Sequence, residues 1–325
     1  MGPYTIFDIA SSTEFRSTAL KTFRLQYQNN SVYQKFCNLL GKTDANVHSL
    51  EDIPFLPVEF FKSKKVITGS GIPDILFTSS GTTGSKTSTH HVLDISIYEI
   101  SFRNTFKFFY GPITDYCILA LLPSYLDREG SSLIYMVEDL IKQSNHPDSG
   151  FYLYDTDGLR KKLEELENSS SKTLLIGVSF ALLDLAENYP VTLKNTIVME
   201  TGGMKGRRKE MMRQELHGIL KKGFEVTSIH SEYGMTELLS QAYSKGDGIF
   251  RTPPWMKILI RETEDPLTVQ SYGKTGGINV IDLANVNSCS FIATQDLGKI
   301  YPDDSFEVLG RFDHSDIRGC NLMVL

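Results

Sequence analysis

From residue 115 to residue 230 the chain repeats one pattern, a short apolar run followed by a longer amphipathic one. "DYCILALL" precedes "SSLIYMVEDLIKQS" and "DGLRKKLEELE"; "KTLLIGVSF" precedes "ALLDLAENY"; "NTIVME" precedes "GRRKEMMRQELHGIL"; and "GFEVTSIH" closes the series. Apolar runs alternating with helical ones predict a mainly parallel α/β sheet. Upstream, the first seventy residues read as helical, as in "EFRSTALKTFRLQYQ", with a proline-punctuated turn at "EDIPFLPVEFF". "DILF" reads as a short strand and "ISIYEISFRNTFKFF" as a helix. After about residue 249 the pattern changes to short strands, "WMKILIRE", "GGINVIDL", "SCSFIATQD" and "SFEVLGRF". The expected organisation is a helical segment over 1–70, an α/β core over 71–248, a β-rich subdomain over 249–310 and a short tail over 311–325.

Composition narrows the function classes. A hydrophobic fraction of 41% and a charged fraction of 22% are those of a globular protein that buries a sizeable core. The net charge is −6, with Lys and Arg spread along the chain, which argues against bulk electrostatic binding to nucleic acid or to an anionic membrane. No apolar run approaches a membrane span, and "MGPYTIFDIASSTEF" has no basic leader. Cys37, Cys117, Cys289 and Cys320 are scattered without metal-site spacing, as expected of reduced thiols in a cytoplasmic protein.

The stretch "FTSSGTTGSKTS", residues 77–88, follows the "DILF" strand. A strand ending in a Ser/Thr/Gly loop is a phosphate cradle: glycines admit close approach, N–H groups and hydroxyls donate to oxygens, and Lys86 supplies charge. It is not a Walker A loop, because Ser85 separates Gly84 from Lys86; "GKT" at 273–275 fails because Thr268 stands where the first glycine belongs. Taken alone, such a loop also fits a flexible surface turn.

Other blocks accompany it. "METGGMKG" begins at 199, "SEYGMTE" at 231, "TQDLG" at 294 and "GRFDHSDIRG" at 310. In this order the blocks resemble the adenylate-forming superfamily of acyl-, aryl- and aminoacyl-activating enzymes. The resemblance implies attack of a carboxylate on the α-phosphate of ATP, giving an acyl-adenylate and pyrophosphate. It implies that Thr78, Ser79, Ser80, Gly81, Thr82, Thr83, Gly84 and Lys86 hold the departing phosphates. Gly202 and Gly203 would belong to the loop packed on adenine. Tyr233, beside Gly234, would stack on the base, and Thr236 would touch the α-phosphate. Glu237 would hold Mg²⁺, while Asp296 and Arg311 would grip the ribose. A first-turn helix carboxylate is the bland reading of Glu237.

Most members of that superfamily continue well past the hinge motif into a small domain bearing a second catalytic lysine; here only "CNLMVL" follows Gly319. The whole chain resembles the LuxE-like acyl-protein synthetases, through "IPFLPVEFFKSKKV", "FTSSGTTGS", "RTPPWMKILIR" and "SDIRGCNLM". That resemblance implies an adenylate-forming large domain without the usual small domain. It also implies activation of a long-chain fatty acid as acyl-AMP, transfer to a cysteine near the carboxyl terminus, and delivery to a partner reductase or other acceptor protein. Cys320 occupies the matching segment; a small buried hydrophobe is its bland reading. A thiolate is a good acceptor for an acyl-adenylate. His90, His91 and His230 are weighed as groups facing the nucleotide or acyl channel, and Trp255 and Phe180 as pocket walls, against surface or core roles. The alternatives are a phenylacetate–CoA-ligase-like enzyme using coenzyme A and a catalytically silent nucleotide-binding relative.

Overall fold

A computed structural model describes residues 4–79, 87–123, 130–153, 155–169, 171–202, 208 and 211–312. In chain order its elements are α1 (Ser12–Asn29), α2 (Ser31–Leu39), β1 (Leu56–Pro57), α3 (Phe60–Ser63), β2 (Ile75–Thr78), β3 (Thr89–Val92), α4 (Ile95–Tyr110), β4 (Cys117–Leu121), α5 (Ser132–Ser144), β5 (Gly150–Phe151) and α6 (Thr156–Ser169). There follow β6 (Thr173–Val178), α7 (Ser179–Asn188), β7 (Thr196–Thr201), α8 (Arg213–Phe224), β8 (His230–Tyr233), β9 (Ala242–Ser244), β10 (Ile249–Arg251), β11 (Met256–Arg261), β12 (Thr275–Asp282), β13 (Phe291–Ile300) and β14 (Phe306–Arg311). The chain divides into two compact units, one of Met1–Asp74, Gly81–Asp94 and Pro254–Leu325, the other of Ile75–Ser80 and Ile95–Pro253. Among the described residues, no helix is long and apolar enough to cross a membrane.

The second unit carries the expected parallel sheet, in the order β10-β9-β8-β7-β6-β4-β5. Strands β5, β4, β6, β7 and β8 run parallel; β9 returns antiparallel to β8, and β10 pairs antiparallel with β9. All of β4 and β6 is buried, which is why both read as unbroken apolar runs rather than alternating ones.

Helix α8 begins at Arg213, seven residues after the start expected from the pattern. Arg207, Arg208 and Lys209 would place three cations at a helix N-terminus, where the macrodipole opposes them. Lys221 and Lys222 instead sit in the last turn, where it favours them, and Glu225 ends the helix in the left-handed region at φ 51°. The helix therefore takes Phe224 from the run read as a strand, and β8 starts only at His230. Gly223 lets α8 press on α7: a Cβ there would lie 2.7 Å from the Ala186 carbonyl oxygen.

In the first unit β11, β12, β13 and β14 form an antiparallel meander, with β1 parallel on β13. A capping box of Ser11 and Glu14 starts α1. Asn30 caps α2 through its side-chain oxygen and donates from its amide nitrogen to the Ser288 carbonyl at 3.0 Å. Fully buried Gln26 donates to the carbonyls of Asn285 and Val286 and accepts from Ser290 N–H at 2.9 Å. One amide thus satisfies the turn between β12 and β13. Rings of Phe23, Tyr33 and Phe55 surround Phe291 with centroids 6.0 to 6.3 Å away.

Gln26→Leu keeps the bulk but strands those buried partners. We expect a loss of about 2–3 kcal/mol, the scale of unsatisfied buried polar groups, read as a lower urea midpoint at unchanged m-value.

Candidate active site

In parallel α/β sheets, ligands bind beyond the carboxyl ends of the strands. In the parallel sheet of the second unit, Gly202 follows β7 and Tyr233 ends β8, while Thr78 ends β2, a strand outside that sheet. Thr78 N–H donates to the Gly130 carbonyl at 2.8 Å, and Ser79 follows it. Ser80, Gly81, Thr82, Thr83, Gly84 and Lys86 lie outside the described residues, as do Gly203 and Cys320. Gly202 has φ +69°, a left-handed conformation that suits glycine as the chain leaves β7.

Tyr233 is buried, its ring meeting the edge of Phe250 with centroids 6.0 Å apart. The Arg213 guanidinium lies over that same Phe250 ring, 5.0 Å from its centroid. Beyond Tyr233 the chain turns at Gly234, and Leu238 N–H closes the turn on the Met235 carbonyl. Thr236 is half-buried, and Glu237 is only 5% exposed. A hydroxyl and a nearly buried carboxylate are hard oxygen donors, the chemistry that suits Mg²⁺ and phosphate.

Beneath these turns is a polar cluster that the sequence did not single out. Glu200 of β7 accepts from Arg213 Nη1 at 2.6 Å and from Ser179 Oγ at 3.2 Å, with His217 Nε2 at 3.5 Å. Burial pushes the Glu200 carboxyl up, but the His217 imidazole 3.5 Å away and the Arg213 charge outweigh it and hold the group below the usual range. On the adjacent strand, Glu232 accepts from Thr201 Oγ1 at 2.5 Å. Burial pushes Glu232 up to about 7; the Thr201 bond opposes that, and the Glu200 charge adds to it. A glutamate preceding Tyr-Gly reads the same from sequence whether it faces solvent or sheet, so only the register reveals the pair.

His230 opens β8 with Nδ1 3.1 Å from Tyr110 Oη at the end of α4. Burial, then the charge of Lys245, push the imidazole down to about 4, so it is neutral at physiological pH. Phe180 is buried on α7.

In the first unit, Asp296 of β13 and Arg311 of β14 are register partners, Nε to Oδ1 at 3.2 Å. Asp296 is nearly buried and Arg311 is 69% exposed, so the pair positions a carboxylate more than it stabilises the fold. Asp296 N–H donates to Thr294 Oγ1, and Arg261 reaches the Thr294 carbonyl at 2.5 Å. A Cβ on Gly277 would strike the Arg261 guanidinium at 2.5 Å, so glycine there makes room for the buried cation. Trp255 packs edge-on to Phe7, and His90 edge-on to Phe61; both are core residues of this unit. Burial, then the Lys65 charge, lower His91.

Comparison with known proteins places this geometry. The chain resembles 2-hydroxyisobutyryl-CoA ligase in an open conformation, with a TM-score of 0.66 at 11% identity over 93% of this chain and 70% of that one. It also resembles ATP-bound MatB from Rhodopseudomonas palustris, with a TM-score of 0.57 at 16% identity over 74% of this chain, spanning about half (49%) of MatB. The fold is thus that of the adenylate-forming enzymes. The acyl-protein synthetase (LuxE) family model matches residues 3–325, and the chain belongs to that family of ligases. It is 24% identical to the long-chain-fatty-acid–luciferin-component ligase of Aliivibrio fischeri, over 93% of this chain and 85% of that protein. The corresponding ligase of Vibrio harveyi is also 24% identical, over 99% and 90%. Membership in a synthetase family makes the chain an enzyme of acyl activation and sets aside the silent nucleotide-binding reading.

Arg213→Met leaves Glu200 buried without its strongest charge partner. We expect a loss of about 3 kcal/mol at pH 7, typical of breaking a buried pair from one side. The Glu200 carboxyl is held low, so its contribution is present above the unfolded value and lost as pH falls through the folded one. Denaturant melts should therefore show the gap between variant and parent narrowing as pH falls below the usual carboxylate range.

Proposed function

We propose that the chain activates a long-chain fatty acid with ATP and Mg²⁺ as acyl-AMP, then carries the acyl group as a thioester on Cys320 for a partner acceptor such as a reductase. The observation that carries this reading is the adjacent exit of β7 into Gly202 and of β8 into Tyr233–Glu237, paired through Thr201 and Glu232, in a LuxE-family chain.

In the first half-reaction a carboxylate oxygen attacks the α-phosphorus, and the bond to the bridging oxygen of pyrophosphate breaks. The barrier is mostly the gathering of negative charge, so fixed donors and cations dominate. Lys86, with the hydroxyls and N–H groups of Thr78, Ser79, Ser80, Gly81, Thr82, Thr83 and Gly84, holds the departing phosphates. Thr236 donates to the α-phosphate. Gly202, Gly203 and Gly234 let backbone approach the base, beside Tyr233. Asp296 accepts from the ribose hydroxyls, with Arg311 beside it. Glu237 is the residue that would hold Mg²⁺, whose charge, when it is bound, offsets that of the phosphates. In the second half-reaction the Cys320 thiolate attacks the acyl carbon, and AMP departs.

The other three cysteines favour Cys320 by their chemistry. Cys37, Cys117 and Cys289 are buried. Burial pushes Cys37 up to about 12 and Cys117 to about 11, and it raises Cys289 as well. None supplies a thiolate near neutral pH.

Pyrophosphate release across a panel of acids tests the first half. Glu237→Gln should lower metal-dependent release by roughly 10²–10³-fold, the scale of a lost electrostatic contact in the transition state; wild-type rates in that variant would remove Glu237 from the site. Radiolabelled fatty acid tests the second half. Wild type should hold label that neutral hydroxylamine removes, Cys320→Ala should release pyrophosphate yet hold none, and the other three cysteine variants should label normally. Free acyl-coenzyme A without labelling would favour the coenzyme-A-dependent ligase instead.

A further inference from the structure

Thr201 and Glu232 face each other across the parallel β7–β8 pair. Their side chains are 2% and 9% exposed. The two carboxylate oxygens of Glu232 look toward different segments. Oε2 accepts from Thr201, the residue before Gly202. Oε1 lies under Gly234, where a Cβ would sit only 2.5 Å from it. We propose that Glu232 is a positioning residue for the nucleotide site, its carboxyl tying the Thr201–Gly202 exit of β7 to the Gly234 turn that leads into Thr236 and Glu237. This rests on the adenylation reading above.

The surroundings select its neutral form. Glu200, one residue before the register partner Thr201 and so on the other face of β7, acts on it through its charge and is itself engaged by Arg213 and His217 of α8. Tyr243 of β9 is its antiparallel register partner, with Tyr98 and Tyr110 of α4 near that ring. Burial is the largest cause and the Glu200 charge adds to it, so ionising Glu232 leaves a poorly solvated anion under the two segments. With its pKa pushed up to about 7, Glu232 is mostly protonated at pH 6 and mostly ionised at pH 8.5. Ionisation keeps the bond that Thr201 donates, but it places a buried anion beneath a site that gathers polyphosphate, so ATP binding should weaken across that interval.

Michaelis constants for ATP in pyrophosphate release, at pH 6.0 and 8.5, test this with wild type, Glu232→Gln and Glu232→Ala. Gln keeps the length and the neutral charge. Its KM should match wild type at pH 6.0 and fall several-fold below it at pH 8.5, with kcat little changed. Ala removes the tie and should raise KM roughly tenfold at pH 6.0, the effect of one lost buried hydrogen bond. Identical pH dependence in wild type and Gln would overturn the inference, as would an Ala variant that folds and keeps the wild-type KM. Should Ala fail to fold, the Gln comparison decides alone. A wild-type chain that binds no ATP by calorimetry would bring down the adenylation reading and this inference together, whereas ATP binding insensitive to both substitutions sinks only the inference.

Discussion

The parallel pairing of β7 with β8 is the contact on which the rest of the second unit depends. Its register sets Glu200 opposite Ser231 and Thr201 opposite Glu232. Side chains alternate faces along a strand, so a slip of one residue would move every polar group here to the other face. The register shown places Thr201 and Glu232 within hydrogen-bonding distance and sends both strands out at the same level into Gly202 and Gly234. Helix α8 reinforces it: Arg213 in its first turn binds Glu200 while covering Phe250, and Phe250 meets Tyr233. Strand pairing, helix start and the tyrosine's seat form one connected arrangement.

The first unit solves a different problem with the same economy of polar groups. Its meander and its amino-terminal helices meet through side-chain amides that answer backbone groups in irregular turns. Gln26 and Asn30 do this on one side, and Arg261 on the other, reaching the Ile278 and Thr294 carbonyls. Buried backbone groups outside regular ladders must find such partners. The result at Thr294 is that Asp296, two residues on, is held by its own N–H on that threonine's hydroxyl and by its register with Arg311. A carboxylate so fixed needs little reorganisation to accept from a ligand's hydroxyls.

The parallel sheet was legible in the sequence because β4 and β6 are buried on both faces and so carry unbroken apolar runs. Thr78 and Tyr233 do end β2 and β8, but Asp296, read as closing a strand, lies inside β13, which runs on to Ile300 in pairing with β14. Helix α8 was misplaced because its apolar pattern could be extended backwards across a basic run that the helix dipole rejects. Strands β9 and β10 are three residues each, too short for any period to register. The glutamate pair was out of reach altogether. Glu200 and Glu232 lie far apart in sequence, and in isolation each reads as an ordinary charged residue at a strand end. Their mutual effect exists only once two strands pair in one register.

The charge balance around those glutamates bears on the proposed chemistry. A site that gathers a polyphosphate and a fatty-acid carboxylate gains nothing from bare anions below it, because repulsion in a poorly solvated setting is strong. The two carboxylates avoid that cost by opposite means. Glu200 stays ionised but is answered by Arg213, His217 and Ser179, so little of its field is uncompensated. Among the described residues no ion pair engages Glu232; burial, with the charge of Glu200 added to it, favours its protonated form instead. The two are linked, because the anion kept on Glu200 adds to the burial that keeps the proton on Glu232. Replacing Arg213 should therefore do more than destabilise the fold. It should ease Glu200 toward protonation, relax its pressure on Glu232, and move the pH response of ATP binding toward lower pH. Identical pH profiles in Arg213→Met and wild type would separate the two carboxylates into independent structural groups.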